Sequence, residues 1–152
     1  MKIGVDDPLA ADVRGLLDEH LAELRRTSPP ESMHALDPES LAALGIVFLT
    51  ARDDNGALLG CGALSPLPDG DVELKSMRTA LAARGRGVAT ALLEALVAQA
   101  RSAGARRLLL ETGTQQFFVP AVQLYLRHGF TPTGPFAGYT DDPNSRYLAL
   151  PL

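Results

Sequence analysis

The sequence predicts an α/β (α+β) fold: one domain in which helices flank a mixed central β-sheet. At 152 residues, the chain is long enough to bury one self-sufficient hydrophobic core. Its periodic segments run in the order helices, antiparallel hairpins, a strand–helix–strand crossover, and a last helix followed by strands. Hairpins join antiparallel strands whereas a helical crossover joins parallel ones, so one sheet contains both kinds of pairing. No repeat or linker divides the chain, and we expect residues 1–152 to form a single domain.

Two helices are predicted first. Between Pro8 and Arg26, apolar residues recur at the spacing of one helix face. They are Leu9, Val13, Leu16, Leu17, Leu21 and Leu24. The stretch "RRTSPPES" interrupts this pattern, and "DPESLAAL" predicts a short second helix with Asp37 as its N-cap and Pro38 at its first position.

Three antiparallel strands are predicted next. The segment "GIVFLTARDDNGALLGCGALSPL" contains two apolar runs joined at Asn55-Gly56, which is a strong hairpin signal. "PDGD" predicts another turn, and the alternating residues of "VELKSMRT" predict a third strand with two distinct faces. One face carries Val72, Leu74 and Ser76, and the other carries Glu73, Lys75 and Met77.

The helical period returns after Arg84. One stripe of a long helix is formed by Val88, Leu92, Leu96 and Ala100. Gly104 is the stop signal of that helix, and "RRLLLET" then predicts a strand buried on both faces. "VPAVQLYLRHGF" predicts a short helix closed by Gly129, and the remaining tail predicts two strands around a long turn.

Glycines and arginines are concentrated where the long helix begins, in "ARGRGVAT". A helix N-terminus carries unpaired N–H groups and about half a positive charge, and glycines allow a ligand to approach the backbone closely. Arg84 and Arg86 add charge that persists at any relevant pH. We therefore predict an anion site at this loop; the simpler alternative is a solvated turn.

The loop lacks the complete motifs of two common classes of phosphate-binding site, which narrows the choice of anion. No Gly-Lys-Ser/Thr follows at the spacing of a Walker motif. Gly85, Gly87 and Thr90 nearly spell a dinucleotide fingerprint, with Glu111 as the ribose acid, but the third glycine is missing and the acid comes late. That fold also needs repeated strand–helix units, whereas the preceding strands are linked by hairpins. A nucleotide-binding domain is kept as a third hypothesis.

The stretch "ELKSMRTALAARGRGVATALL" resembles the acetyl-CoA motif of the GNAT N-acetyltransferases, Arg/Gln-x-x-Gly-x-Gly/Ala, which stands here as Arg84, Gly87 and Ala89. "PAVQLYLRHGF" is similar to the second characteristic motif of that family, and the two together span residues 73–130. "KSMRT", "LETG" and "GPFAGY…DPNS" are similar to an uncharacterised bacterial subgroup. One departure is Phe118, which stands where the family often has asparagine.

The resemblance implies acetyl-CoA as the co-substrate. It places the pantetheine arm against the main chain of Met77, Arg78 and Thr79. It assigns the diphosphate to one run of residues: Arg84, Gly85, Arg86, Gly87, Val88, Ala89 and Thr90. It also matches Tyr125 to the acid that the family is proposed to use.

Amine acetylation needs a base, because an amine with a pKa near ~10 is mostly protonated at neutral pH. Glu73 and Glu111 are the candidates, each on a predicted central strand. Glu73 is preferred because it precedes the cofactor-contacting end of its strand; the alternative is a cross-strand ion pair. Glu111 could equally bind a substrate amine or cap its loop.

Tyr125 is interpreted as a hydrogen-bond donor to the departing sulfur, or alternatively as a core tyrosine. A phenol with a pKa near ~10 gives its proton to a thiolate near ~8.5 at a cost of about 2 kcal/mol, so full proton transfer is not required. A backbone N–H near Met77 or Arg78 is the candidate for polarising the thioester carbonyl.

The remaining reactive residue types favour structural roles. Cys61, between two glycines, is predicted to be a small buried hydrophobe. The three histidines lack metal-ligand spacing, so no metal site is expected; they are His20, His34 and His128. His128 is expected to end its helix, and His34 is a candidate substrate contact. Three aromatic residues either line an acceptor pocket or simply pack: Phe117, Phe136 and Tyr139.

These observations favour an acetyl-CoA-dependent N-acetyltransferase acting on a primary amine of a small molecule or peptide. The alternative is a non-catalytic acyl-CoA-binding sensor or partner module. The net charge of -4 disfavours nucleic acid as a partner, and no apolar run reaches the ~20 residues that span a bilayer. A single cysteine and the absence of a leader sequence favour the cytoplasm. The resemblance implies a homodimer, since relatives often pair.

Overall fold

The computed structural model describes all 152 residues and contains a seven-stranded sheet in the order β1-β2-β3-β4-β5-β7-β6. The strands are β1 (Lys2–Val5), β2 (Val47–Arg52), β3 (Leu58–Pro66), β4 (Val72–Thr79), β5 (Arg107–Gly113), β6 (Thr131–Pro132) and β7 (Ser145–Pro151). The helices are α1 (Ala11–Thr27), α2 (Pro38–Leu41), α3 (Val88–Ser102) and α4 (Val119–Arg127). Neighbouring strands are antiparallel except for β4 and β5, which are parallel, so the predicted mixed sheet is confirmed.

The sheet separates two hydrophobic cores. The larger core lies on the face covered by α3 and α4 and includes Leu92, Leu96, Leu110 and Tyr125. The smaller core lies on the face covered by α1 and α2 and includes Leu17, Leu41, Phe48, Cys61 and Ala63. Because successive strand residues point to opposite faces, these two clusters show which side of the sheet each β4 and β5 side chain occupies.

Most local predictions are confirmed. The Asp37 side chain accepts a hydrogen bond from the Ser40 N–H at 2.7 Å and thereby caps α2. β2 and β3 form the expected hairpin around Asn55-Gly56, and the predicted stripe of α3 is buried. None of the helices has the length and apolar character needed to cross a bilayer.

Three local features differ from expectation. β1 was not expected; it is an edge strand of four largely exposed residues that is held by pairing with β2. Residues Gln116–Phe118, expected as loop, form a short 3-10 helix before α4. In β4 the strict alternation is wrong beyond Lys75: Met77 packs against the α3 core, because a β-bulge interrupts the strand.

β4 and β5 are paired only at their beginnings. Val72 pairs with Leu108 and Glu73 with Leu109, and no later residues of the two strands pair. The β5-facing edge of β4 beyond Glu73 therefore has main-chain groups with no strand partner. This gap between two central parallel strands is what positions the site.

Candidate active site

A cavity of about 600 Å³ lies where β4 and β5 separate. Its walls come from the diverging halves of both strands, the start of α3, the start and inner face of α4, and the C-terminal half of α1. It therefore reaches both faces of the sheet. Proteins bind cofactors preferentially in such pre-formed clefts.

The glycine-rich loop forms one end of the cavity. Gly85 and Gly87 adopt φ values of 75° and 78°, a left-handed conformation that other residues rarely adopt, and Gly87 is the N-cap residue of α3. No side chain caps this helix, and its first turn carries no acidic residue. Backbone N–H groups at the start of α3 thus remain free for an anion, beside the Arg84 side chain. All the predicted cofactor residues line the cavity except Arg86.

Two glycines of β3 bring α3 close to the sheet. A Cβ at Gly62 would lie 2.6 Å from Leu96 Cδ1, and one at Gly60 would lie 3.0 Å from Leu92 Cδ1. A methyl group at either position would force these leucine side chains to shift, so glycine in β3 permits the close approach of α3. The start of α3 is thereby held beside the end of β4.

A bulge in β4 faces the gap. Cys61 pairs with Arg78 and Ala63 with Lys75, so Ser76 and Met77 together oppose Gly62. Ser76 has a φ of 56°, which is unusual for a residue with a side chain and costs about 1–3 kcal/mol. Its hydroxyl is buried in the cavity wall without a hydrogen-bond partner. Strained residues with unpaired polar groups are typical of binding sites.

The α1 face of the gap carries a hydrogen-bonded cluster around Glu73. The Tyr139 hydroxyl donates to Glu73 Oε2 at 2.6 Å, and Lys75 Nζ donates to the same oxygen at 3.2 Å. Lys75 Nζ also donates to the Tyr139 hydroxyl oxygen at 3.0 Å and to the His34 carbonyl oxygen at 3.2 Å. Glu73 is buried, and these contacts with Tyr139 and Lys75 partly satisfy its carboxylate.

Glu111 lies next to this cluster on β5. It projects from the α1 face, because Leu108 and Leu110 on the same strand point into the α3 core. Burial raises the pKa of Glu111 to about 6, and the nearby Lys75 ammonium acts in the opposite direction. A carboxylate with that pKa can accept a proton near neutral pH, as a general base must.

Tyr125 reaches the cavity from the opposite side of the sheet. It belongs to the α3 core, is almost fully buried, and packs against Phe130 at 5.6 Å between ring centroids. Burial raises the pKa of Tyr125 well above its usual value, so its hydroxyl stays protonated and available as a donor. Tyr125 and the two glutamates therefore line the same cavity from opposite faces of the sheet.

The other candidates occupy the following places. Cys61 is fully buried and burial raises its pKa to about 12, so it is an inert hydrophobe. His128 ends α4, with its Nδ1 2.9 Å from the Leu124 carbonyl oxygen. His34 and Phe117 line the cavity, whereas Phe136 packs behind Tyr139 at 5.1 Å. No group of three His, Cys, Asp or Glu side chains is arranged to hold a metal ion.

The sequence did not single out Lys75, the Ser76 hydroxyl or His20 as parts of the site. Lys75 carried one usable signal, since it follows Glu73 by two residues and so shares its strand face. Ser76 carried none, because a bulge depends on how β3 and β4 pair. His20 lines the cavity, and burial together with nearby Arg78 lowers its pKa to about 4.

Comparison with known proteins agrees with this geometry. A family model described as the acetyltransferase (GNAT) family matches residues 13–130. The chain belongs to the GNAT acetyltransferase family. Members of this family are acyltransferases that use acetyl-CoA as co-substrate.

Similarity to individual GNAT proteins extends over the whole chain. The uncharacterised N-acetyltransferase YsnE of Bacillus subtilis is 41% identical over 152 residues, which are 100% of both chains. The IAA acetyltransferase of Azospirillum brasilense is 39% identical over 151 residues, covering 99% of this chain and 97% of the relative. A crystal structure from Klebsiella pneumoniae, of a chain assigned as an acyl-CoA N-acyltransferase, has a TM-score of 0.82 at 30% identity and covers 99% and 97% of the two chains.

Proposed function

We propose that this GNAT protein moves an acetyl group from acetyl-CoA to a primary amine of a small molecule or peptide, by direct attack of the amine on the thioester. The observation that carries this proposal is the gap between β4 and β5. It joins the glycine-rich loop and a buried tyrosine of the α3-side core to a cluster of ionisable groups on the α1 face. Acetyl-CoA and the amine can therefore reach the gap from opposite faces of the sheet.

The main chain of this protein fits coenzyme A. Met77, Arg78 and Thr79 lie on the part of β4 that has no strand partner on its β5 side, which leaves main-chain groups to pair with the pantetheine arm. Arg84 and the free N–H groups from Gly85 to Thr90 would hold the diphosphate. When bound there, acetyl-CoA supplies the activated acetyl group.

Glu111 is the group that we propose takes the proton of the attacking amine, directly or through water. Its pKa of about 6 allows it to be ionised at neutral pH and still basic enough to accept a proton. Glu73, preferred on sequence grounds, is held by Tyr139 and Lys75. We assign it the role of fixing those two side chains at the acceptor end of the cavity.

Tyr125 would donate a hydrogen bond to the sulfur that leaves. Its raised pKa makes complete proton transfer to a thiolate more unfavourable than for an ordinary tyrosine. Stabilisation of the thiolate by a donor held in place is therefore the favoured role, and a backbone N–H of the β4 bulge would polarise the carbonyl oxygen.

The negative side chains beside the gap support a cationic amine as the acceptor. Glu73 and Glu111 place carboxyl groups on the face from which the acceptor approaches, and the largely buried Lys75 forms an ion pair with Glu73. The name of the Azospirillum relative, IAA acetyltransferase, supports the acetyl group as the group transferred.

The test is release of free thiol from acetyl-CoA across a panel of amines, with the acetylated product identified by mass spectrometry. Amine-dependent thiol release with formation of an N-acetyl product is the expected result. Binding of acetyl-CoA without release for any amine would instead identify a non-catalytic acyl-CoA-binding module. Failure to bind coenzyme A at millimolar concentration would overturn both.

A further inference from the structure

The side chain of Arg78 has a position of interest that is separate from the role proposed for its main chain. Arg78 pairs with Cys61 across β3 and β4, and Cys61 belongs to the α1-side core, so the Arg78 side chain projects from the α1 face of the sheet. It lines the cavity on that face together with His20. The guanidinium therefore stands on the same face as Lys75, Glu73 and Glu111.

The Arg78 guanidinium has no partner within the protein. Its Nε is buried and makes no hydrogen bond, and no carboxylate lies within salt-bridge distance of the group. Glu19 and Glu23 on α1 act on it only through longer-range attraction, while burial and the charge of Arg84 lower its pKa. Arginine presents five donors in a fixed fork, and leaving its buried Nε–H without an acceptor is costly. Such a cost is expected where a ligand supplies the missing acceptor.

The position of Arg78 indicates whether its ligand is coenzyme A or the acceptor. The helix that begins at the diphosphate loop packs into the α3-side core through Val88, whereas the Arg78 side chain faces α1; of that loop, Arg84 lies near enough to Arg78 to act on its charge. Along β4, Arg78 lies two residues beyond Ser76, which lines the gap. An acceptor whose amine reaches the gap from the α1 side can place a second group against Arg78. His20, kept neutral by its low pKa, adds no competing charge.

We propose that the Arg78 side chain binds a carboxylate of the acceptor, so that the acceptor carries both a primary amine and a carboxylate. This inference rests on the proposed acetyl transfer to an amine and narrows its substrate class. A planar carboxylate matches the guanidinium fork and accepts two parallel hydrogen bonds from it. Arg78 then acts as a specificity-determining residue: it selects among amines by the charge of their distal group.

The test uses matched pairs of acceptors that differ only in that group. Amino acids, and ω-amino acids of increasing chain length, are each compared with the corresponding carboxamide in the thiol-release assay. For at least one chain length we expect kcat/KM to favour the carboxylate by tenfold or more. Arg78→Gln should bring that ratio close to one by lowering kcat/KM for the carboxylate, and Arg78→Lys should retain part of the preference.

Arg101→Gln is the matched control, because it removes one arginine charge from an exposed position on α3 outside the cavity. It should keep the carboxylate preference. Circular dichroism and the dissociation constant of coenzyme A are measured for each variant. If Arg78→Gln weakens coenzyme A binding tenfold and leaves the ratio unchanged, the side chain serves the cofactor and the inference is wrong.

A binding measurement separates this inference from the proposed function. Calorimetric titration of the same acceptor pairs into protein saturated with coenzyme A needs no turnover. Carboxylate binding that is lost in Arg78→Gln, in a protein that releases no thiol with any amine, would refute acetyl transfer and uphold the Arg78 site. Thiol release with equal kcat/KM for every carboxylate and carboxamide would refute the site and uphold acetyl transfer.

Discussion

Replacing Glu111 by glutamine tests whether its carboxylate is destabilised by burial. Its pKa of about 6 in the folded protein exceeds the ordinary value of 4.5 by ~1.5 units, because burial disfavours the charged form. Each unit corresponds to ~1.4 kcal/mol, so ionisation of Glu111 lowers the free energy of unfolding by about 2 kcal/mol. The folded state holds the proton more tightly than the unfolded state, so the protonated carboxyl is fully favourable below pH ~4.5. That contribution is lost as the pH rises through about 6.

The expected result is a stability gain that depends on pH. Glu111→Gln cannot ionise, so in urea titrations it should be about 2 kcal/mol more stable than the parent protein at pH 8, relative to their difference at pH 4. Glu31→Gln, which removes an exposed carboxylate, controls for the change in net charge. A stability difference that is equal at both pH values, or that favours the parent at pH 8, would refute burial as the cause.

The same substitution bears on the reaction. If Glu111 is the base, kcat/KM of the parent protein falls below pH ~6, and Glu111→Gln lowers kcat more than tenfold while removing that acidic limb. Glu73→Gln is the companion variant. An acidic limb that disappears in Glu73→Gln and persists in Glu111→Gln would exchange the roles of the two glutamates.

Three further predictions concern the reacting sulfur, the diphosphate loop and the packing of α3. Tyr125→Phe should lower kcat more than tenfold with the coenzyme A dissociation constant nearly unchanged; unchanged turnover would remove the hydroxyl from the mechanism. Gly87→Glu should raise the dissociation constant of coenzyme A at least 100-fold in calorimetry. Gly104→Glu is the control, because Gly104 has a φ of 77° and the same open surroundings but lies at the other end of α3, and it should leave that constant unchanged. Equal effects of the two substitutions would mean that backbone strain alone weakens binding. Gly62→Ala should lower the free energy of unfolding by about 1–3 kcal/mol in urea titrations, since its Cβ would lie 2.6 Å from a leucine of α3. Gly15→Ala, at an open position within α1, should raise the free energy of unfolding. An unchanged stability of Gly62→Ala would contradict the close packing of α3 on β3.

Local patterns were sufficient for most of the fold. The helical stripe of α3, the Asp37 cap and the Asn55-Gly56 hairpin each depend on neighbours within a few residues, and each is found in the structure. β1 escaped prediction because four residues carry too little periodicity; only pairing with β2 gives it a strand conformation.

Some features of the site could likewise be predicted from local sequence, and others could not. The glycine-rich loop could be predicted from the sequence, because its positive φ angles and the uncapped helix start depend only on consecutive residues from Gly85 to Val88. The separation of β4 from β5 and the bulge at Ser76 were not, since both depend on the pairing of strands that are distant in sequence.

The sequence by itself determined that this protein has a mixed sheet and a glycine-rich turn at the start of a long helix, because both follow from short-range periodicity and backbone preferences. Only the tertiary structure decided what surrounds each ionisable group. Glu73 came to lie against Lys75 and Tyr139, Glu111 was partly withdrawn from water, and Arg78 was left without a partner. The physical reason is that the pKa and the pairing of a charged group depend on burial and on neighbours brought together from remote parts of the chain.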